Sequence, residues 1–397
     1  MNVTERFLKY VSFPTSSDEF SESVPSTAKQ RVLGEYIVCE LKEIGMEDVL
    51  IDDKGYVYAK LSGNMPGAIG FVAHMDTSPD APDSVINPRI IDYAGGDISL
   101  SSDAAITVKE YPFIEKYNGQ QLIVTDGKTL LGADDKAGVA EIVSMCSYFI
   151  ENPDVPHKTI SLCFTPDEEI GRGADFFDYE RFEAKEAYTV DGGALGEIEY
   201  ENFNAASAEV KVNGVIIHPG SAKNKMKNAV LYVSEFLSMM PANEIPACTE
   251  GYEGFYHIHD IKADETYGEI RMIIRDHDKE KFLAKKDFLV KLVDYLNSVH
   301  GENTFRIEIK DSYYNMKEKI EPFMYLIDNA KKAFEENGIT PVCVPIRGGT
   351  DGARLSYEGL PCPNLSTGGE NFHSVREFIS VESLESMVKV LITLAGM

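Results

Sequence analysis

Positive charge is scarce in this sequence: 38 Lys plus Arg stand against 65 Asp plus Glu among 397 residues, a formal net charge of −27. Proteins that grip phosphate backbones do so through basic patches that release counterions. Nucleic-acid binding is therefore excluded as the main activity, and a polybasic membrane anchor with it. Long apolar runs are missing too. No stretch approaches the roughly 20 apolar residues of a membrane helix. The opening MNVTERFLKYVSF breaks up its apolar residues with polar and acidic ones, where a signal peptide needs a continuous core. The six cysteines (Cys39, Cys146, Cys163, Cys248, Cys343, Cys362) never form C-x-x-C, and several sit in apolar runs that suit reduced, buried thiols. The expected compartment is the cytoplasm. No P-loop occurs, and the glycines of RGGTDG at 347–352 do not follow the strand–GxGxxG–helix pattern, so a nucleotide enzyme is excluded.

What is present is ordinary globular material, 43% hydrophobic and 26% charged. Single cores stop growing at roughly 250–300 residues, so two or three domains are expected. Positions 27–44 read as a helix with Val32, Leu33, Tyr36, Ile37, Leu41 and Ile44 on one face and Gly45 as its cap. Short apolar runs at 68–73, 159–164 and 187–190 have the length of buried strands, and a helical pattern at 137–149 lies between them. Strands alternating with helices imply an α/β sheet covered on both faces. After about residue 206 the pattern changes to strand 207–217, helix 225–240, strands 255–261 and 267–275, helix 281–299 and strand 304–313. That β-α-β-β-α-β order is the ferredoxin-like unit. Residues 207–317 therefore read as an inserted α+β domain. Residues 1–206 and 318–397, the latter with helices near 321–335 and 381–395, form the domain it interrupts.

The α/β part carries metal-ligand residue types just past its apolar strands, where open sheets collect ligands. GFVAHMD offers His74 and Asp76, the second able to fix the tautomer of the first. LLGADDKAGVAEI sets Asp134 and Asp135 at a Gly-rich turn into a helix, a place where paired acids also serve as plain caps. TISLCFTPDEEIGRG puts Glu168 and Glu169 after a strand, so that one can bind metal while the other acts as a base. YTVDGG adds Asp191, and GGENFHS adds His373. Each is unremarkable alone. Together they give imidazole plus carboxylate without soft ligands, which suits zinc, cobalt or manganese. The set exceeds the three protein ligands of one catalytic zinc and suits a metal pair about 3.5–4 Å apart with a bridging carboxylate.

The ordered motifs HMD, GADDKAG, PDEEIGRG, VDGG and ENFHS resemble the dinuclear zinc exopeptidases that include glutamate carboxypeptidases, aminoacylases and desuccinylases. The fuller forms LLGADDKAGVAEI, YTVDGGALGEIEYENFNAA, HPGSAK and RGGTDG resemble the tripeptide-aminopeptidase members of that family, over nearly the whole chain. The resemblance implies a mixed sheet flanked by helices, with the insertion as a lid that can support a homodimer. It implies two zinc ions per subunit, with cobalt or manganese able to substitute, and release of the N-terminal residue from tripeptides. His74 and His373 would each bind one ion, Asp134 would bridge, Glu169 would complete the shell of His373's ion and Asp191 that of His74's. Asp76 would orient His74, Glu168 would be the general base, and His218 the lid histidine facing the oxyanion, often from a partner subunit. The choices of Asp134 over Asp135, and of Glu168 over Glu169 as base, rest on the family pattern. Spacing does not separate them.

Arg275 and Arg347 are candidates for the substrate's terminal carboxylate, because a guanidinium fork matches it. Asp351 receives no role. His257 and His259 alternate on a strand but lack an accompanying acidic cluster, so they read as lid surface. Two rival functions share these features: hydrolysis of acylated amino acids or of peptides from the C-terminus, and a catalytically dead binder. The binder would have lost its base, and Glu168 is present.

Overall fold

The computed structural model describes residues 1–82 and 86–397, which divide into two compact units. One comprises Met1–Tyr200, Glu318–Val344 and Thr350–Met397; the other comprises Glu201–Lys317 and Pro345–Gly349. The second unit thus begins six residues before the expected 207 and takes in the first half of the RGGTDG segment, Arg347 to Gly349.

The first unit is built on an eight-stranded mixed sheet in the order Glu47–Ile51, Val57–Leu61, Thr159–Thr165, Ala68–His74, Ala187–Gly192, Asn364–Ser366, Glu197–Glu199, Val342–Cys343. Its four central strands, from Thr159–Thr165 to Asn364–Ser366, run parallel. Buried on both faces, they are the continuous apolar runs of the sequence. Their carboxyl ends all leave the sheet along one edge. Helix Ala133–Glu151 packs on strands Ala68–His74 and Ala187–Gly192, with helices Val3–Val11 and Val381–Ala395 against its outer side. On the opposite face Tyr56, Tyr58, Phe177, Phe182, Leu355 and Leu360 form a second apolar layer.

Helix Ala28–Ile44 starts at Thr27 and stops at Gly45, whose φ of 99° is the left-handed cap conformation. Leu33, Ile37 and Leu41 are buried, but Val32 is exposed, contrary to the face read from the sequence, and Val38 is buried instead. The apolar stripe sits about one residue step further round than the pattern suggested. A separate four-stranded sheet was not foreseen: Gly369–Glu370, Phe378–Ser380, Gln121–Val124, Arg89–Asp92. Its two- to four-residue strands are too short for periodicity to reveal. Its first hairpin carries the 371–377 loop, which holds His373.

The second unit is an antiparallel sheet in the order Phe255–Ala263, Tyr267–Asp276, Asn204–Asn213, Phe305–Tyr313. With helices Ala229–Ser238 and Lys279–His300 packed on it around Val210, Val233, Phe236, Met272 and Leu289, it has the ferredoxin-like arrangement. The first strand ends at Asn213, so 214–217 does not continue it as the alternation had suggested. Of the six cysteines, Cys146, Cys163 and Cys362 are buried, Cys39, Cys248 and Cys343 are exposed, and all are free. No helix among the described residues is long and apolar enough to cross a membrane.

Candidate metal centre

The carboxyl ends of strands Ala68–His74, Thr159–Thr165 and Ala187–Gly192, the turn into helix Ala133–Glu151 and the 371–377 loop bring the motifs together. His74 closes its strand and is buried. Its Nδ1 lies 3.0 Å from the Asp76 carbonyl oxygen and 3.4 Å from the Asp76 carboxylate. An Nδ1–H donated to that carbonyl leaves Nε2 with its lone pair outward, the state a metal ligand needs. Nε2 faces Asp134 Oδ1 at 2.8 Å and Asp191 Oδ1 at 3.2 Å. The other histidine approaches the same acid from the far side: His373 Nε2 is 3.4 Å from Asp134 Oδ2 and 2.9 Å from Glu169 Oε2. Asp134 thus presents one oxygen to each imidazole.

Its neighbour points elsewhere. Asp135 accepts the backbone N–H of His74 at 3.0 Å and of Gly138 at 3.2 Å, so its carboxylate staples the helix start to the strand end. The two aspartates can diverge because neither has helical backbone angles. Asp76 likewise serves the backbone, accepting the N–H groups of Glu168 at 3.0 Å and Glu169 at 3.2 Å. The turn bearing those glutamates is anchored a second time. Asp167, at a left-handed φ of 59°, accepts from Ser26 N and Oγ and from Gln30 Nε2. His373 also has a left-handed φ, 60°. Non-glycine residues rarely hold that conformation without surrounding contacts that impose it, and both lie in loops of this centre.

The electrostatics are those of an acid-rich cleft. Burial pulls the His74 imidazolium down, but Asp191, Asp134 and Asp76 together hold its pKa well above the ordinary value. Hydrogen bonds to Asp134 and Glu169 push His373 up to about 12. Burial raises Glu168 well above the carboxylate range, with Asp191 adding to it. Burial also lifts Glu169 to about 8 and Asp191 to about 6. Asp134 alone goes down: burial opposes this, and the hydrogen bonds to His373 and His74 outweigh it. The cleft concentrates more carboxylates than two imidazoles can offset, an electrostatic demand that divalent cations meet. Two groups of ligand atoms could each hold an ion: His74, Asp135 and Asp191, and His74, Asp134 and Glu169. Glu169 Oε1 is buried without a hydrogen-bond partner, and such an atom is costly unless something satisfies it. Nitrogen and oxygen donors of this kind fit zinc, cobalt or manganese.

Reading the sequence missed three contributors. Asp351 is buried, accepts from Thr165 Oγ1 at 2.8 Å, and is raised to about 7, chiefly by burial. Asp80 Oδ2 lies 3.1 Å from His373 Nδ1, the ring nitrogen that in His74 faces Asp76. Glu377, buried, accepts the N–H groups of Leu131, Gly132 and Asp134. The HMD spacing gave a signal for Asp76 only; Asp80 and Glu377 reach their partners through chain reversal and had none.

Three sequence candidates belong to the second unit. His218 lies in a turn at Pro219–Ser221, its ring accepting from Gly220 N at 3.2 Å. Arg275 lies 5.2 Å over the Tyr313 ring and donates to the Ile274 carbonyl. Arg347 sits over Phe203 and Phe255 and donates to the carbonyls of Gly251, Glu253 and Thr249, so much of its fork is spent on clamping that loop. His257 and His259 are exposed on their strand.

A sequence model of peptidase family M20/M25/M40 matches residues 115–396. Peptidase T of Clostridium acetobutylicum is 53% identical over 396 residues, covering 98% of this chain and 97% of its own. Among solved structures, a tripeptidase from Staphylococcus aureus superposes with a TM-score of 0.79 at 19% identity, over 100% of this chain and 97% of that one. A dinuclear metal-binding peptidase of the M20 family from Bacillus subtilis gives 0.65 at 16% identity, over 99% and 96%. At those identities the two structures establish the fold.

Proposed function

Because the chain belongs to peptidase family M20/M25/M40 and is a peptide hydrolase, we propose that it is a dinuclear aminopeptidase that removes the N-terminal residue from tripeptides. The observation that carries the reading is one carboxylate, Asp134, offering separate oxygens to His74 and His373. The likeness to peptidase T at 53% identity supports the tripeptide specificity.

In this reading His74 and Asp191 would hold one ion, His373 and Glu169 the other, and Asp134 would serve both. Asp76 orients His74 and fixes the turn that bears Glu168 and Glu169. When bound, two zinc ions, or cobalt or manganese in their place, supply a water acidic near neutral pH and a polarised scissile carbonyl. Glu168 takes the proton of the attacking water as its oxygen bonds to the carbonyl carbon. It then passes that proton to the amide nitrogen as the C–N bond breaks. His218 donates to the developing oxyanion, from the partner subunit if the lid forms a dimer. Arg275 and Arg347 receive the tripeptide's carboxylate. The second unit acts as the lid that measures peptide length and excludes water. Six free cysteines fit a cytoplasmic site of action.

The test compares a free tripeptide with its N-acetylated twin and with the matching dipeptide and tetrapeptide, with and without a chelator and then with zinc restored. The expected result is release of the N-terminal residue from the free tripeptide, lost on chelation and regained with zinc. Preference for the acetylated peptide would move the enzyme to the acylase or carboxypeptidase side of the family.

A further inference from the structure

Asp134 can face both histidines only if its backbone is held away from the helix it introduces. Its φ of −84° and ψ of 104° are non-helical, and Gly132 before it has a left-handed φ of 81°. In this conformation the N–H groups of the turn point away from the helical ladder, among the donors that a helix start leaves without intrahelical partners. They converge on one side chain. Glu377 Oε2 accepts from Leu131 N at 2.6 Å and Gly132 N at 2.8 Å, and Oε1 accepts from Asp134 N at 3.1 Å. Successive backbone N–H groups around one anion form a nest, which fixes the local backbone by its geometry.

Glu377 is 2% exposed and lies at the end of the loop that carries His373. The next residue, Phe378, begins a strand whose partner, across from Phe378, is Val124 at the end of Gln121–Val124. The carboxylate is therefore set by a sheet, and it joins two loops more than 240 residues apart in the chain.

We infer that Glu377 is a positioning residue that locks the Asp134 carboxylate between His74 and His373, tying the turn of one ligand to the loop of another. The inference rests on the proposal that Asp134 is shared by two ions, and concerns how this chain keeps it so. It requires a carboxylate. Three donors need acceptors on both branches of the side chain, and an amide has an acceptor on one branch only. In Glu377→Gln the amide must turn its NH2 toward Leu131 and Gly132 or toward Asp134, and either choice sets donor against donor.

The experiment uses no substrate. The chelator-stripped wild type and the Glu377→Gln variant are titrated with zinc against a chromophoric competitor, and the metal-free melting of both is recorded by circular dichroism. Removing a residue that orients a ligand typically weakens metal binding 10- to 100-fold. Because Asp134 is shared, both binding events should weaken by about that factor while metal-free melting stays within a few degrees. Zinc affinity within threefold of wild type overturns the inference. So does a variant that is unfolded without metal, since Glu377 would then serve the fold at large. If the wild type itself takes up fewer than two ions, the dinuclear proposal falls and carries this inference with it, a result distinct from two ions bound equally well by both proteins.

Discussion

Glu168 and Glu169 are chemically identical and adjacent, yet their surroundings differ. Glu169 Oε2 reaches His373 at 2.9 Å, whereas Glu168 is tied through its backbone N–H to Asp76 and makes no contact with either imidazole among the described hydrogen bonds and ion pairs. Glu168→Ala should therefore keep its metal content, measured by atomic absorption, while turnover falls by about 10²–10⁴-fold, the usual contribution of a general base. Loss of metal along with activity would show that base and ligand have been wrongly separated. A second acid outside the centre makes a pH prediction. Glu141 is fully buried on helix Ala133–Glu151, neither carboxyl oxygen has a hydrogen-bond partner, and burial raises its pKa well above the carboxylate range. A carboxyl whose folded pKa lies above its unfolded one favours folding only while protonated, so its contribution is lost as pH rises from the unfolded pKa toward the folded one. Glu141→Gln should remove that slope. Urea melts at pH 5, 6 and 7 should show the variant gaining on wild type, by a margin approaching about 1.4 kcal/mol per pH unit. A constant difference across that range would mean Glu141 does not titrate there.

Gly138 sets how closely helix Ala133–Glu151 approaches the strand that bears Asp191. A Cβ at Gly138 would lie 1.9 Å from the Val190 carbonyl oxygen and 2.5 Å from Asp135 Oδ1. No side chain can shift to relieve the first contact, because the obstacle is backbone. Gly138→Ala must therefore push the helix from the sheet, at a cost of about 1–3 kcal/mol typical of overpacking. Asp134 and Asp135 would move with the helix, and Asp191 with the strand. The expected outcome is a lower melting temperature together with weaker zinc binding, read by calorimetric titration. Unchanged zinc affinity would mean that the helix and strand absorb the methyl group without moving their ligands. Legibility also depended on the element. The helices at 28–44 and 381–395 were readable because their apolar periods extend over many residues, and the longer parallel strands because they are unbroken apolar runs. The small sheet that presents His373 was not, since strands of two to four residues carry no period.

For the whole molecule the centre acts as a staple. Its imidazoles and carboxylates come from residues 74–76, 134–135, 168–169, 191 and 373, so cations held there would join segments spread over most of the chain. Ions that bind only the native state stabilise it by mass action, about 2.7 kcal/mol for each site at a hundredfold excess over Kd. Stripping the protein with a chelator should lower its melting temperature by several degrees, and zinc should restore it; magnesium should not, because it prefers all-oxygen octahedral sites. Equal melting of the stripped and loaded protein would argue against ions in this cleft.

The sequence by itself determined the kinds of element, the α/β class, the ferredoxin-like order of the insertion and the donor types of the centre. Periodicity and residue chemistry are local properties that a linear chain displays. Which of two adjacent acids faces the histidines was decided only in three dimensions. Asp134 and Asp135 differ by the groups that surround them, the two imidazoles for the first and the backbone N–H groups of His74 and Gly138 for the second. The same holds for Glu377. Nothing near it in the sequence marks it out, because the N–H groups it satisfies belong to a turn brought alongside by the sheet. Hydrogen-bond partners far apart in sequence are set by tertiary packing, and it is packing that turns a collection of acidic motifs into one centre.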